Sequence, residues 1–419
     1  MKDSGVDWIG EIPLEWKVVP TKSKFTNSKE IVGDREIEFE RLALTLNGVI
    51  KKSKENSGGL QPEKFETYQI LYKDELIFKL IDLENVKTSR VGYSPFTGLV
   101  SPVYIRLSNP KESKFGYYYF INMWYQQVFN YLGSGVRSNL TSSDLLNVPY
   151  LDVPYEHQEK IIKILDEKIS KVNDIISNTH KSIEELKKYR KSLIAEVVTK
   201  GLDKSAELKD SGIEWIGKIP KNWTVTKIGK ISELSSGGTP PSNSSEHYDG
   251  EIPWARSLDL KEKEILKTDR NLSELGLSVI SGGIIGAGAI LIAMYGGSGT
   301  IGNSGLLKIN ASTNQAICAI QLRKGYYNRF YFYFIQFLRP YWMIYAVGTR
   351  KDPNISKQTV QNMPCLVLSL EEQKEIADFL DSKTKIIEDL IIEKEIIINE
   401  YEKYKQSLIY EYVTGKKQV

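Results

Sequence analysis

The chain has 419 residues, 41% hydrophobic and 26% charged, close to the average for folded soluble domains, which argues against a disordered or membrane-spanning protein. Its 56 basic and 53 acidic residues leave a formal charge of +3. That balance permits nucleic-acid binding through local patches but does not announce it. The length exceeds what one core serves, so two or three units are expected. A polar start, Met1-Lys2-Asp3-Ser4-Gly5, and the absence of any uninterrupted apolar run of membrane length predict a cytoplasmic protein. Cys318 and Cys365 lie far apart without a CxxC partner, so neither a zinc site nor a disulfide framework is expected.

Taken in chain order, the first element is the segment Lys2-Asp3-Ser4-Gly5-Val6-Asp7-Trp8-Ile9-Gly10-Glu11-Ile12-Pro13-Leu14-Glu15-Trp16-Lys17-Val18. It returns 207 residues later as Lys209 to Val225, with eleven of seventeen positions identical, including both tryptophans and the proline. Residues 20–148 follow, with strand-like runs at Glu75–Leu80 and Pro102–Leu107, then an aromatic stretch from Phe115 to Tyr131 and a glycine-bearing loop at 133–140. From Pro149 the pattern turns helical. Steps of three and four from Ile162 to Val197 meet nine apolar residues in eleven positions, which is a coiled-coil seam.

The repeated segment then opens a second half. Residues 227–363 carry strand-like runs at Ile290–Met294 and Gln315–Ile320, an aromatic stretch from Tyr326 to Tyr345 and a loop at 348–355. From Pro364 the helical pattern recurs with an offset of 215 residues, and its polar seam positions match: Thr179 with Lys394, Arg190 with Lys405. Shared polar positions fix register, so the two helices are expected to pair with each other. Each should run about 60 Å at 1.5 Å per residue. The predicted organisation is a domain at 1–148, a helix at 149–204, a second domain at 205–363 and a second helix at 364–419.

Signatures of catalysis are not apparent. The glycine-rich stretch 282–305 holds no G-x-G-x-x-G opening a helix, and Gly212 to Lys218 has the spacing of a phosphate loop but is followed by Ile219, not Ser or Thr. His157, His180 and His247 share no metal-ligand spacing. No metal and no cofactor are expected of this chain.

The repeated Asp-Ser-Gly-x-x-Trp-Ile-Gly-x-Ile-Pro-x-x-Trp, the stretch Gly237-Gly238-Thr239-Pro240-Pro241 with Tyr248-Asp249-Gly250-Glu251-Ile252-Pro253-Trp254, and the Pro-x-x-x-x-x-x-Glu-x-Gln start of each helix resemble the specificity subunits of type I restriction–modification systems. The resemblance covers the whole chain. It implies an α+β fold class: two mixed α/β target-recognition domains separated by two long antiparallel coiled-coil helices, related by a pseudo-twofold internal repeat. It also implies double-stranded DNA as ligand, each half reading one part of a split target across a distance set by the helices. Two modification (methyltransferase) subunits, and through them restriction subunits, are the implied partners. The first half lacks Gly-Gly-Thr-Pro and Ile-Pro-Trp, so the two halves are expected to read different sequences and the target to be asymmetric.

Guanine is read by Arg or Lys, and phosphates by any basic or polar donor. The DNA-binding candidates are Arg137, Lys52 and Arg90 in the first half, with Lys51 and Lys54 beside them. In the second half they are Arg350, Lys351 and Arg256, with Lys261 and Arg270. Arg137 and Arg350 stand in equivalent loops. For each of these residues a solvated surface charge is the competing reading. Two other readings of the chain stay open at this point: a coiled-coil scaffold without DNA specificity, and a fused methyltransferase or nuclease with an unrecognised motif.

Overall fold

A computed structural model of the chain describes residues 1–46, 48–52, 65–83, 89–132, 139–296, 299–349 and 352–418. Four helices organise it: α1 (Ser113–Tyr125), α2 (Tyr155–Lys200), α3 (Asn328–Leu338) and α4 (Leu370–Val413). The chain divides into two compact units, residues 1–180 with 395–419, and residues 181–394. The division cuts both long helices near their middles instead of at their ends, because each helix half shares a core with a different globular part.

In unit 1, Ile161, Leu165 and Ile169 of α2 bury with Leu408, Ile409, Tyr412 and Val413 of α4 against the aromatic helix α1. The pairing is antiparallel: Lys168 lies over the Tyr412 ring and Lys405 donates to Asn173 Oδ1 at 3.1 Å. In unit 2 the roles exchange, with Ile194, Val197 and Val198 of α2 packing on Ile376, Ala377 and Leu380 of α4. Every seam position from Ile162 to Val197, and from Ala377 to Tyr412, is buried or partly buried. Of the polar seam positions, Arg190 donates to Gln336 Oε1 at 3.1 Å and lies 3.9 Å from the Glu388 carboxylate.

Both units share one sheet order. In unit 1 the antiparallel strands run Thr26–Asn27, Ile105–Ser108, Leu76–Phe78, Val91–Tyr93; in unit 2 they run Ser232–Ser236, Ile317–Leu322, Ile290–Ala293, Ser304–Leu307, and a parallel edge strand Lys263–Ile265 is added. The expected strand runs are therefore present, with ends that differ by at most three residues, and the aromatic stretches contain helices α1 and α3. Tyr118, Phe332 and Phe334 are buried there. What differs is the outer layer. Unit 1 carries a hairpin of Leu42–Thr45 and Gly48–Lys51, whereas unit 2 has Tyr248–Ala255 between Asn271–Leu272 and Ser312–Thr313.

The repeated segments form equivalent junctions. Strand Lys17–Pro20 pairs with Pro149–Asp152 just before α2, and Thr224–Lys227 pairs with Pro364–Val367 just before α4. Trp16 and Trp223 are buried beneath them, and each indole N–H points at the first turn of a long helix: to His157 Nδ1 at 3.5 Å and to Glu372 Oε1 at 3.1 Å. Gly201 and Gly415, at φ +74° and +70°, end the two helices in the left-handed conformation that glycine tolerates. Gly201 lies against the Trp223 ring, and Gly415 against Pro13 and Trp16, so each junction joins the start of one helix to the end of the other. Further equivalent bonds brace α1 and α3. Tyr118 and Lys114 reach Asp166, and Tyr333 and Arg329 reach Asp381.

Candidate nucleic-acid interface

The most built surface outside the shared frame lies in unit 2, around strand Tyr248–Ala255. Its two aromatic residues, Tyr248 and Trp254, stand 5.9 Å apart and use their polar ends to hold the Gly237–Pro241 loop. The Tyr248 hydroxyl donates to the Pro240 carbonyl at 2.8 Å, and Trp254 Nε1 donates to the Gly238 carbonyl at 3.2 Å. Only glycine fits at 237, because a Cβ there would sit 1.7 Å from the Thr313 carbonyl oxygen. Thr239 Oγ1 donates to Gln315 Oε1 and closes the loop on the other side.

Two arginines stack on these rings. The Arg270 guanidinium lies 4.5 Å from the Tyr248 ring centre and the Arg256 guanidinium 5.9 Å from that of Trp254. Stacking on an aromatic face restricts the guanidinium plane while leaving N–H groups for an external acceptor. Arg256 is further positioned by its own backbone N–H, which donates to the Asp259 carboxylate at 2.7 Å. Nearby Lys261, Lys263 and Lys267 are exposed. The intervening acids are already paired with cations from elsewhere in the unit: Glu262 with Arg339, and Glu264 with Arg329 and Lys308. Exposed Asp249, Glu251 and Asp269 share the face, so its charge is mixed and its distinguishing feature is the pair of ring-stacked guanidiniums.

In unit 1 the described part of the corresponding region is the hairpin 42–51. Lys51 pairs with Glu40 and lies 5.2 Å from the Phe96 ring, while Lys52 is half-buried with its backbone N–H bonded to the Arg41 carbonyl at 2.9 Å. Arg90 is placed differently from a surface contact. It is 1% exposed, and its guanidinium donates to the carbonyls of Ile81 and Asp82 at 2.9 and 2.5 Å. A guanidinium used in this way anchors the turn at 81–82, and burial lowers its affinity for the proton. Arg137, Arg350, Lys351 and Lys54 lie outside the described residues.

Among the described residues no group of three or more His, Cys, Asp or Glu is placed to hold a metal ion. Burial pushes the thiols of Cys318 and Cys365 up to about 12, which keeps them protonated and unreactive. Burial, reinforced by the Asp381 carboxylate, likewise pushes Tyr333 up to about 12. Sequence reasoning missed the Gly237–Thr313 and Thr239–Gln315 contacts, since the partners are 76 residues apart and no local pattern couples them.

A repeated frame carrying two unlike outer faces defines an internally duplicated recognition protein. Residues 220–399 match the family described as type I restriction modification DNA specificity domain. The chain is 23% identical over 440 residues to the putative type I restriction enzyme MjaX specificity subunit of Methanocaldococcus jannaschii, covering 97% of this chain and 95% of that one. It is 30% identical over 186 residues to the MjaIX specificity subunit of the same organism, 43% of this chain and 42% of the relative. Its fold is similar, at TM-score 0.70 and 13% identity over 96% of this chain and 98% of the other, to a chain in a structure described as the basis of complex assembly and conformational transition of the type I R-M system. Over nearly its whole length the chain is thus similar to type I restriction specificity subunits, and its second half matches their DNA specificity domain. Among the described residues no helix is long and apolar enough to cross a membrane.

Proposed function

We propose that this chain is the DNA-recognition subunit of a type I restriction–modification complex, reading a bipartite, asymmetric double-stranded target and acting in the cytoplasm without catalysing a reaction itself. The observation that carries the reading is the duplication of one frame under two different outer layers: the frame repeats its junction ladders and the bonds that brace α1 and α3, and the surfaces it presents do not. An arginine stack on Tyr248 and Trp254 supports one reader, and the hairpin with Lys51 and Lys52 supports the other. Two modification subunits, and restriction subunits through them, are the partners this reading assigns. Mapping methylated adenines in DNA from cells expressing the chain with its modification subunit tests it; a pattern unaffected by loss of this chain overturns it.

Within that reading Arg256 contacts a base and Lys261 a phosphate. Arg256→Ala should reduce discrimination between the mapped target and random duplex by roughly 1–3 kcal/mol, and Lys261→Ala should weaken both alike and reduce the salt slope by about one. Fluorescence anisotropy titrations over a range of salt read both quantities. Equal losses on both DNAs for Arg256→Ala would reassign that residue to the backbone. Arg137, Arg350 and Lys351 remain candidates by the position of their loops in the repeat.

The helix lengths are proposed to set the gap between the half-targets. One heptad inserted in each helix, after Ile176 and after Ile391, preserves the apolar period and adds about 10.5 Å, close to three base pairs. Methylation at the original target should disappear, and any new target should keep both half-sequences with a longer gap. An unchanged gap would show that the helices do not act as the spacer.

A further inference from the structure

A third side chain is tied to the Gly237–Pro241 loop beside Tyr248 and Trp254. Gln315 is exposed, yet its Oε1 accepts from Thr239 Oγ1, and among the described residues nothing accepts from its Nε2. The backbone beneath it is fixed on two sides: the Asn314 N–H donates to the Ala255 carbonyl at 3.1 Å and the Met294 N–H to the Ala316 carbonyl at 2.7 Å. Holding a long side chain still at the surface costs rotamer freedom, and one hydrogen bond in contact with water contributes little against it. Stability does not account for the arrangement.

The internal repeat shows that the frame does not require it either. The turn at Gln315 closes with the Ile317 N–H on the Asn314 carbonyl at 3.3 Å, and unit 1 has the same turn, closed by the Tyr104 N–H on the Ser101 carbonyl at 3.2 Å. Each turn leads into the same strand of the common sheet, Ile317–Leu322 in one unit and Ile105–Ser108 in the other. The place of Gln315 is taken in unit 1 by Pro102, whose side chain has no polar atom.

Gln315 also stands beside Arg256. Strand Tyr248–Ala255 runs parallel to Ser312–Thr313 with Ala255 opposite Thr313, so Arg256 and Gln315 follow adjacent strands at the same end. The Arg256 guanidinium, stacked on Trp254, has no acceptor among the described residues. Arg35, Arg106 and Arg329 lie over rings as well, but each of them also meets a carboxylate.

The two free tips offer different chemistry. A guanidinium presents donors alone and matches the O6 and N7 acceptors of guanine; a carboxamide presents a donor and an acceptor and matches N7 and the amino group of adenine. The Gln315 oxygen keeps a second lone pair after accepting from Thr239, so a purine amino group can share it. Neighbouring strands lie about 4.8 Å apart and base pairs about 3.4 Å apart, so side chains on adjacent strands address base pairs one or two steps apart.

We propose that Gln315 is a specificity-determining residue of the second half: it reads an adenine in the major groove, one or two base pairs from a guanine read by Arg256, and Thr239 holds its carboxamide in the reading orientation. The inference rests on the proposed DNA-recognition function and gives that face two of its bases.

The test uses the full-length chain with the modification subunit of its own system, acting on a plasmid library in which the mapped wild-type target is randomised one base pair at a time. Single-molecule sequencing reads the methylated fraction, and the second half-target is the one that survives exchange of residues 20–148. Gln315→Ala should lower the preference for A·T at one position of that half at least tenfold, leaving the guanine position and the first half unchanged. Gln315→Glu, which keeps the size but only accepts, should turn the preference at the same position toward C·G. Arg256→Ala should relax a guanine one or two base pairs away and spare the adenine. Wild-type preference at every position in both Gln315 variants would overturn the inference and leave the recognition function standing. A loss spread evenly over the second half would overturn it too, since Gln315 would then support the loop and not read a base. A wild-type chain that directs methylation to no defined target would overturn the recognition function and this inference with it.

Discussion

Trp223→Ala is expected to destabilise unit 2 by about 3–5 kcal/mol, the range for removing a large aromatic side chain from a packed core. Trp223 is fully buried, and four things meet on it: strand Thr224–Lys227, Gly201 at the end of α2, the first turn of α4 through Glu372, and the repeated segment around Pro220. Truncation leaves a cavity where the two helices join their domain, and leaves Glu372 without the indole donor. For a unit of this size the loss corresponds to a fall of roughly 6–20 °C in its thermal midpoint, at about 2–4 °C per kcal/mol. Differential scanning calorimetry of the full chain reads it. Trp16→Ala should act in the same way on unit 1, where Trp16 is 2% exposed and Gly415 packs on its ring. A shift under 2 °C for both would show that the repeated tryptophans do not hold the junctions.

Exchange of residues 20–148 for the corresponding segment of another family member is expected to change one half of the methylated sequence completely and to leave the other half as it was. The segment is bounded by Pro20 and Pro149, which face each other in the junction ladder, so the exchange keeps both ends at one fixed place in the frame. Unit 1 also has its own core around Phe78, Phe115, Phe120 and Tyr150, and the unit 2 core around Phe330, Phe334 and Trp342 draws on none of it. Independent cores let one surface change without repacking the other. Single-molecule sequencing of modified DNA reads the outcome, and a change in both half-sequences would contradict separate readers.

The outcome of the chain-order reading depends on whether a feature is local or repeated. The coiled-coil seam was legible because an apolar residue every three or four positions is a one-dimensional pattern, and Arg190 and Lys405 show up in it as breaks at matching steps. The repeated Trp-Ile-Gly-x-Ile-Pro-x-x-Trp was legible as identity. The position of the unit boundary was not, since a helix of even periodicity gives no sign that Ile169 and Ile194 serve different cores.

Periodicity and self-similarity thus determine, without coordinates, that there are two domains, two long helices and one frame used twice. Side-chain direction and long-range contact decide the rest. Arg90 reads as a surface cation in a loop sequence, and only the folded chain turns it inward to the carbonyls of residues 81 and 82, where an unpaired carbonyl would be costly. Arg256 and Arg270 read as any other basic residues, and the ring stack that orders them exists only because strand Tyr248–Ala255 lies between Asn271–Leu272 and Ser312–Thr313. Local sequence carries propensity and period, but a site is a meeting of residues tens of positions apart, and that meeting is set by the packing of the sheets.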